Sequence, residues 1–257
     1  MSRRKRQLWT FSDSDGLLRD SIESSPRTLD RSELYAVYQP IVDIIERRVF
    51  AYEALARCTR PGLERPDELF AKASHEQFAG RLGRMVRSVA LLDGCREPLF
   101  INIHPDELAA RWLVRPDDPL NTYAGPLFLE ITEAAAFAYF ELCRDVLREV
   151  CRRIGATIVV DDLGAGYSNL RRIIDLEPGV VKLDRELVRD LDKRPRQRIL
   201  VRRIVELVHD LDAKVIAEGV ETPDELRACR DCGIRLIQGY LLAKPSRAFG
   251  FEWPRGL

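Results

Sequence analysis

Two adjacent acidic residues, Asp161 and Asp162, directly follow the apolar run 156–160, and a loop with two glycines comes after them. A short apolar, β-branched run of this kind is typical of a buried strand. Two neighbouring carboxylates in a cleft repel one another unless they share a cation. The pair therefore indicates a divalent-cation site, with a helix N-cap followed by a turn as the structural alternative.

Other apolar segments of the chain also carry a polar residue inside the run or just after it. In chain order these residues are Glu53, Asn102, Glu130, Asp161 with Asp162, Lys182, Glu218 and Gln238. If these side chains converge, burying them unpaired would cost several kcal/mol each. The set therefore predicts a metal site rather than a group of unrelated structural ion pairs.

The donor types in this set indicate which metal would bind. No histidine accompanies the acids, because His75 and His209 lie in predicted helices and His104 follows the third predicted strand. Carboxylate and amide oxygens favour Mg²⁺ or Mn²⁺ over zinc. Pairs of such ions serve phosphoryl chemistry, in which one ion polarises the phosphate and the other generates hydroxide from water.

Two basic residues lie within, or just after, the same predicted strands as these acids. Lys182, among the acids, would orient the attacking water or balance developing charge, unless it only forms a salt bridge within the cluster. Arg57, placed just past the second predicted strand, would hold a phosphate oxygen, unless it is an ordinary surface arginine.

The elements that position these residues are eight short apolar strands, most of them followed by a helical stretch. This order predicts a (β/α)₈ barrel, whose active site lies at the carboxyl ends of the strands. A short polar turn joins the first two strands, so we expect an irregular, TIM-like barrel with an antiparallel first strand. A doubly wound open sheet is the alternative fold. The predicted strands are 35–42, 49–55, 99–103, 127–131, 157–160, 180–183, 214–217 and 235–238.

Apolar periodicity predicts the helices between these strands. The predicted helices are 68–95, 105–112, 132–154, 185–210 with an interruption near Pro195, and 223–232.

Composition restricts the class of protein. The 257 residues suit one large domain, and equal numbers of basic and acidic residues, 41 each, argue against a nucleic-acid polymer as partner. The chain has no secretory signal and no apolar run long enough to span a membrane, which predicts a cytoplasmic protein with reduced cysteines. Residues 1–30 are predicted to be a flexible or helical extension where a protein partner could bind, and residues 31–257 to be the barrel.

Several spaced motifs resemble those of a known family. Glu53-Ala-Leu-Ala-Arg57 resembles the motif that names the EAL family of bacterial cyclic di-GMP phosphodiesterases, and the likeness extends over residues 33–250. The other matching motifs are Tyr38-Gln-Pro-Ile41, Asn102, Glu130-Ile-Thr-Glu133, Asp161-Asp-Leu-Gly-Ala-Gly-Tyr-Ser168, Lys182-Leu-Asp184, Ala217-Glu-Gly-Val-Glu221 and Gln238-Gly-Tyr240.

The resemblance implies metal-dependent hydrolysis of one phosphodiester of cyclic di-GMP to linear pGpG, with two Mg²⁺ or Mn²⁺ ions, in a homodimer. The implied ligands are Glu53, Asn102, Glu130 and Asp161 for one ion, and Asp161, Asp162 and Glu218 for the other. The implied catalytic residues are Lys182, Glu218, Gln238 and Glu221. The implied substrate contacts are Gln39, Glu53, Leu55, Arg57, Asp184 and Tyr240. Glu133 is implied to anchor a loop that couples metal binding to a dimer contact.

The chain departs from the family pattern at two positions. Leu163 stands where the family usually has Phe, and His104 stands where a Ser often occurs. Neither position supplies a metal ligand, but Leu163 puts the level of activity and its regulation in question. The alternatives to an active phosphodiesterase are a catalytically silent cyclic di-GMP receptor and a module that only binds proteins.

Overall fold

Eight short strands close into a barrel in the computed structural model, which describes residues 25–92, 94–109, 113–132, 140–164 and 176–257. Neighbouring strands in the sequence are neighbours in the barrel, and β8 closes it against β1. The predicted TIM-like architecture is therefore confirmed. The strands are β1 Leu34–Asp43, β2 Arg48–Cys58, β3 Leu99–Asn102, β4 Leu127–Thr132, β5 Thr157–Leu163, β6 Val180–Leu183, β7 Lys214–Ala217 and β8 Leu236–Ile237.

The antiparallel first strand is also confirmed. β1 pairs antiparallel with both β2 and β8, whereas the pairs from β2 to β8 are parallel. The turn between β1 and β2 is held by Asp43, whose carboxylate accepts hydrogen bonds from the backbone amides of Ile45 and Glu46. This arrangement places Gln39 opposite Glu53 in the register, so the reversed strand delivers a side chain to the same end of the barrel.

The helices lie where they were predicted, with two corrections. The predicted helix 68–95 is two helices, because Gln77 adopts a left-handed backbone conformation with φ of 55° between them. Thr132, predicted to open a helix, is instead the last residue of β4. The interruption near Pro195 is confirmed. The described helices are α1 Pro66–His75, α2 Ala79–Ala90, α3 Pro105–Ala109, α4 Phe140–Ile154, α5 Arg185–Val188, α6 Pro195–Asp210 and α7 Pro223–Asp231. Among the residues that the structure describes, every helix is too short or too polar to span a membrane.

A separate buried ion network joins α2 to the segments that follow β3. Arg87 of α2 is fully buried and donates two hydrogen bonds to Asp118, with Nε–Oδ1 at 3.1 Å and Nη2–Oδ2 at 2.7 Å, and it also contacts Glu107. Gly83 leaves space for this network, because a Cβ there would lie 2.2 Å from the Glu107 carboxyl carbon. The network ties α2 and α3 together on the side of the barrel next to β3.

Arg87→Met is expected to lower the free energy of unfolding by about 3–5 kcal/mol, because it leaves two buried carboxylates without their cation. Urea unfolding followed by circular dichroism measures this change. The matched control is Arg203→Met, which removes an exposed ion pair with Glu206 and should cost less than about 1 kcal/mol. Equal losses in the two variants would contradict the prediction.

Candidate active site

The polar residues singled out by sequence lie two positions beyond an apolar layer that fills the barrel. Alternate residues of a strand face the same side, so a residue two positions along points into the barrel one layer higher. The layer consists of Ile41, Ala51, Phe100, Val159, Val180, Ile216 and Leu236, with Phe128 packed against it. The residues one layer higher, on these strands or directly after them, are Gln39, Glu53, Asn102, Asp161, Lys182, Glu218, Gln238 and, on β4, Glu130.

Lys182 lies at the centre of this upper layer. Its Nζ is 2.7 Å from Glu130 Oε1, 3.4 Å from Asp161 Oδ1 and 3.5 Å from Glu53 Oε2, and it also contacts Glu218. Although burial opposes its charge, these carboxylates hold the pKa of Lys182 well above its ordinary value. The side chain is therefore an ammonium ion that four acids share.

The acids around Lys182 would together carry more negative charge than one ammonium can balance. Burial raises the pKa of Glu130 well above its ordinary value, and it raises the pKa of Asp161 as well, although Lys182 opposes both shifts. Burial likewise raises the pKa of Glu218 to about 8 and, together with the neighbouring Asp161, that of Asp162 to about 6. Such shifts show a site that is short of positive charge.

A bulge in β5 explains how two consecutive carboxylates reach the same cleft. Strand alternation would send Asp162 to the opposite side from Asp161. The pairing of β5 with β6 is irregular between Val160 and Leu163, so two residues of β5, Asp161 and Asp162, lie opposite one residue of β6, Lys182. Asp162 has a left-handed φ of 59°. Such a bulge turns a side chain that would otherwise face outward.

Glu53 is held by two amide side chains. Asn102 Nδ2 donates to Glu53 Oε1 at 3.1 Å, and Gln238 Nε2 donates to Glu53 Oε2 at 2.6 Å. Gln238 Nε2 also donates to Gln39 Oε1 at 3.3 Å, and Gln39 Nε2 in turn donates to the backbone carbonyl of Ala243. Burial would raise the pKa of Glu53, but Lys182 and these hydrogen bonds outweigh it and hold the pKa below its ordinary value.

The donor set fits a hard divalent cation. Oxygen atoms of Asp161, Asp162 and Glu218 all lie within 4.8 Å of one another. Deeper in the site, Oε2 of the buried Glu130 accepts no hydrogen bond from the residues that the structure describes. Clustered carboxylates and a buried oxygen without a donor suit Mg²⁺ or Mn²⁺, which bind oxygen ligands.

A cleft of about 370 Å³ opens above these acids. It brings three further predicted residues to the site, Leu55, Glu221 and Tyr240, with Tyr240 at the rim, 58% exposed. Three lining residues, Arg185, Gly219 and Gly239, were not predicted; each directly follows a predicted residue in the sequence. The lining consists of Gln39, Glu53, Leu55, Asp161, Asp162, Lys182, Arg185, Glu218, Gly219, Glu221, Gln238, Gly239 and Tyr240.

Five predicted residues are not among those that line this cleft. Glu130 is fully buried, and Asn102 lies beside Glu53, to which it donates its hydrogen bond. Arg57 lies inside β2 rather than past its end, because β2 continues to Cys58, and its guanidinium donates to the carbonyl of Ala56. Asp184 caps the amino end of α5 by accepting a hydrogen bond from the Glu186 amide at 2.7 Å. Glu133 lies outside the described residues.

Comparison with known proteins shows one consistent likeness. The family model described as EAL domain matches residues 22–245. Cyclic di-GMP phosphodiesterase PdeR of Escherichia coli is 33% identical over 239 residues, with 88% of this chain and 36% of that protein covered. Cyclic di-GMP phosphodiesterase RocR of Pseudomonas aeruginosa is 30% identical over 244 residues, with coverage of 88% and 60%.

A solved structure is similar over the same region. Klebsiella pneumoniae BlrP1, in a manganese and cyclic di-GMP complex at pH 6, superposes with a TM-score of 0.72 and 31% identity. The match covers 88% of this chain and 59% of that one. The chain thus spans less than two thirds of the length of each of these relatives.

Proposed function

This chain belongs to the EAL domain family, and from that premise we propose that it hydrolyses one phosphodiester of cyclic di-GMP to give linear pGpG. The observation that carries the proposal is the set of acids at the strand ends, in which Asp161, Asp162 and Glu218 offer oxygens within 4.8 Å of one another. Two Mg²⁺ or Mn²⁺ ions are the proposed cofactors, since the donors are oxygens.

The metal ligands are proposed from the arrangement of the upper layer. When bound, the ions would polarise the phosphate and lower the pKa of a water molecule. The bulge in β5 presents both Asp161 and Asp162 to the cleft, and the amide of Gln238 fixes one oxygen of Glu53. The proposed ligands are Glu53, Asn102, Glu130 and Asp161 for one ion, and Asp161, Asp162 and Glu218 for the other.

The remaining roles follow from position. Lys182 supplies a fixed positive charge beneath the reacting phosphate, and the carboxamide of Gln238 lies where it would orient the attacking water. Glu221 supports the loop after β7. Tyr240 offers an exposed ring on which a guanine can stack, and Leu55 adds an apolar contact.

Several finer proposals depend on the family resemblance. Substrate contacts by Arg57 and Asp184 require both side chains to turn towards the cleft from their present hydrogen bonds. The loop anchor Glu133, the homodimer and the cytoplasmic location stay predictions. The boundary at residue 30 and a protein partner on the extension also stay predictions. Two short 3₁₀ helices, Pro26–Thr28 and Arg31–Glu33, precede β1.

Turnover of cyclic di-GMP by the purified chain tests the proposed function. Chromatography of the products should show pGpG with Mg²⁺ or Mn²⁺, no product with a chelator, and recovery when metal is added back. The oxygen-only donor set is the physical reason for this dependence. Nucleotide binding without product in either metal would contradict hydrolysis and favour the silent receptor.

Gly239→Ala should reduce kcat by about a hundredfold, because displacing catalytic groups by about 1 Å has effects of this size. A Cβ at residue 239 would lie 2.0 Å from the carbonyl oxygen of Val220, so the loops after β7 and β8 must separate. That separation moves Gln238 away from the acids. The control is Gly250→Ala, where a Cβ meets no atom within 4 Å and kcat should be unchanged. Unchanged kinetics in Gly239→Ala would show that the two loops tolerate separation.

A further inference from the structure

Among the residues that the structure describes, two cations line the cleft, and one of these two is accessible to a ligand. Lys182 is 1% exposed, and its ammonium is occupied by four carboxylates. The Arg185 side chain is 53% exposed and faces the same cleft. A substrate with two phosphate charges enters a cleft with an excess of acids, so an accessible cation there has a specific use.

The placement of Arg185 is fixed by its surroundings. A Cβ at Gly219 would lie 2.6 Å from Arg185 Cγ and 2.9 Å from its Cβ, so the stem of the arginine crosses the loop after β7 at this glycine. Gly219 has a left-handed φ of 65°, which permits that close approach. The stem of Arg185 therefore packs against the backbone of Gly219, and its guanidinium reaches Glu221 in the lining of the cleft.

The guanidinium has an exchangeable partner. Nη2 of Arg185 lies 2.9 Å from Glu221 Oε1, and both side chains are about half exposed. Exposed ion pairs contribute only about 0–1 kcal/mol, so a phosphate can replace the carboxylate at little cost. Arginine binds phosphate through two parallel hydrogen bonds, which are stronger than those between neutral groups.

We propose that Arg185 exchanges Glu221 for a phosphate oxygen of the substrate and so anchors the phosphodiester over the acids. The inference rests on the proposed function and adds a substrate contact to it. The competing explanation is that Arg185 only holds Glu221 and the loop after β7. The two explanations differ in what removal of Glu221 does.

Two variants separate these explanations by the direction of their effects on cyclic di-GMP affinity. Arg185→Gln should weaken binding by about 10- to 100-fold, since it removes charged hydrogen bonds to phosphate. Glu221→Gln frees the guanidinium, so its affinity for cyclic di-GMP should not fall with that of Arg185→Gln, whereas its kcat should fall because Glu221 supports the loop after β7. If the arginine only holds the loop, both variants break the same ion pair and weaken binding alike, which would overturn the proposal.

Affinity is measured by calorimetry with Ca²⁺ in place of Mn²⁺, and chromatography of the same mixtures establishes that the nucleotide stays intact. Arg185→Lys should recover part of the affinity, because it keeps the charge but not the planar fork. Arg189→Gln, at the exposed arginine that directly follows α5 and lies four residues after Arg185, is the matched control and should bind like wild type.

Hydrolysis by wild type in Mn²⁺ is assayed separately, so the two proposals fail in different ways. Binding in Ca²⁺ without pGpG formation in Mn²⁺ would refute the hydrolysis and leave the Arg185 affinities interpretable. Normal hydrolysis with unchanged affinity in Arg185→Gln would overturn the Arg185 proposal alone. In Mn²⁺ we expect Arg185→Gln to raise KM more than it lowers kcat, as the loss of a binding contact should.

Discussion

Glu53→Ala is expected to remove nearly all turnover, with a loss of more than about a hundredfold, while the barrel stays folded. Glu53 accepts hydrogen bonds from Asn102 and Gln238 and lies 3.5 Å from Lys182 Nζ, so it connects three elements of the site. Because Glu53 is a proposed metal ligand, its removal should reduce turnover by more than the roughly 10- to 100-fold that is lost when a residue that only supports a ligand is removed. Steady-state kinetics over a range of Mn²⁺ concentrations measures both kcat and the apparent metal affinity.

Two further variants show whether the loss is specific to the site. Glu53→Gln keeps the size and one acceptor oxygen but removes the charge, so its turnover should also fall. Glu68→Ala removes an exposed acid of α1 and should leave kinetics and melting temperature unchanged. Retained full activity in Glu53→Ala, with a normal circular dichroism spectrum, would contradict the assignment of this residue to the metal site.

The fold was predictable because its strands are short, apolar and regularly spaced. The same regularity made the site predictable. Apart from Asp162 and, on the reversed first strand, Gln39, each acid, amide or lysine of the site stands two residues after a residue of the buried layer, or after Phe128 packed against it, as Glu53 follows Ala51 and Lys182 follows Val180. In a closed barrel that spacing directs all such side chains to one end.

Features that depend on single backbone conformations were not predictable from such patterns. The left-handed residue Gln77 divides one predicted helix into two, yet the apolar spacing continues through Phe78 to Leu82 as if the helix were unbroken. The extent of β2 beyond residue 55 was missed because Arg57 interrupts its apolar pattern, although this residue still pairs with Tyr35.

The structure shows where Leu163, one of the two departures from the family pattern, lies relative to the site. Leu163 is buried in the main core and pairs with Leu183, directly after the two acids that the bulge turns into the cleft. Its backbone carbonyl accepts a hydrogen bond from the amide of Asp184 at 3.1 Å. An effect of this residue on activity would therefore act through the position of Asp162, because its own side chain faces away from the site.

Lys182→Met is expected to reduce kcat by about 10²- to 10³-fold and to lower the stability of the metal-free protein by about 3–5 kcal/mol. Four carboxylates share this one ammonium, and one of them, Glu130, is fully buried. Without it these charges lack a partner, unless divalent ions supply the missing charge. The loss of stability should therefore be smaller in Mn²⁺ than in chelator, since an ion that binds only the folded state stabilises it.

Chemical unfolding of wild type and Lys182→Met, each in Mn²⁺ and in chelator, measures this difference. Lys193→Met, which removes an exposed partner of Asp190, is the control and should change stability by less than about 1 kcal/mol in either condition. A metal-dependent rescue of stability without rescue of kcat would separate the two tasks of Lys182, because added ions can balance the buried acids but cannot replace a fixed cation beneath the phosphate. Equal destabilisation with and without metal would contradict this account, since it would mean that the acids around Lys182 do not bind the ions.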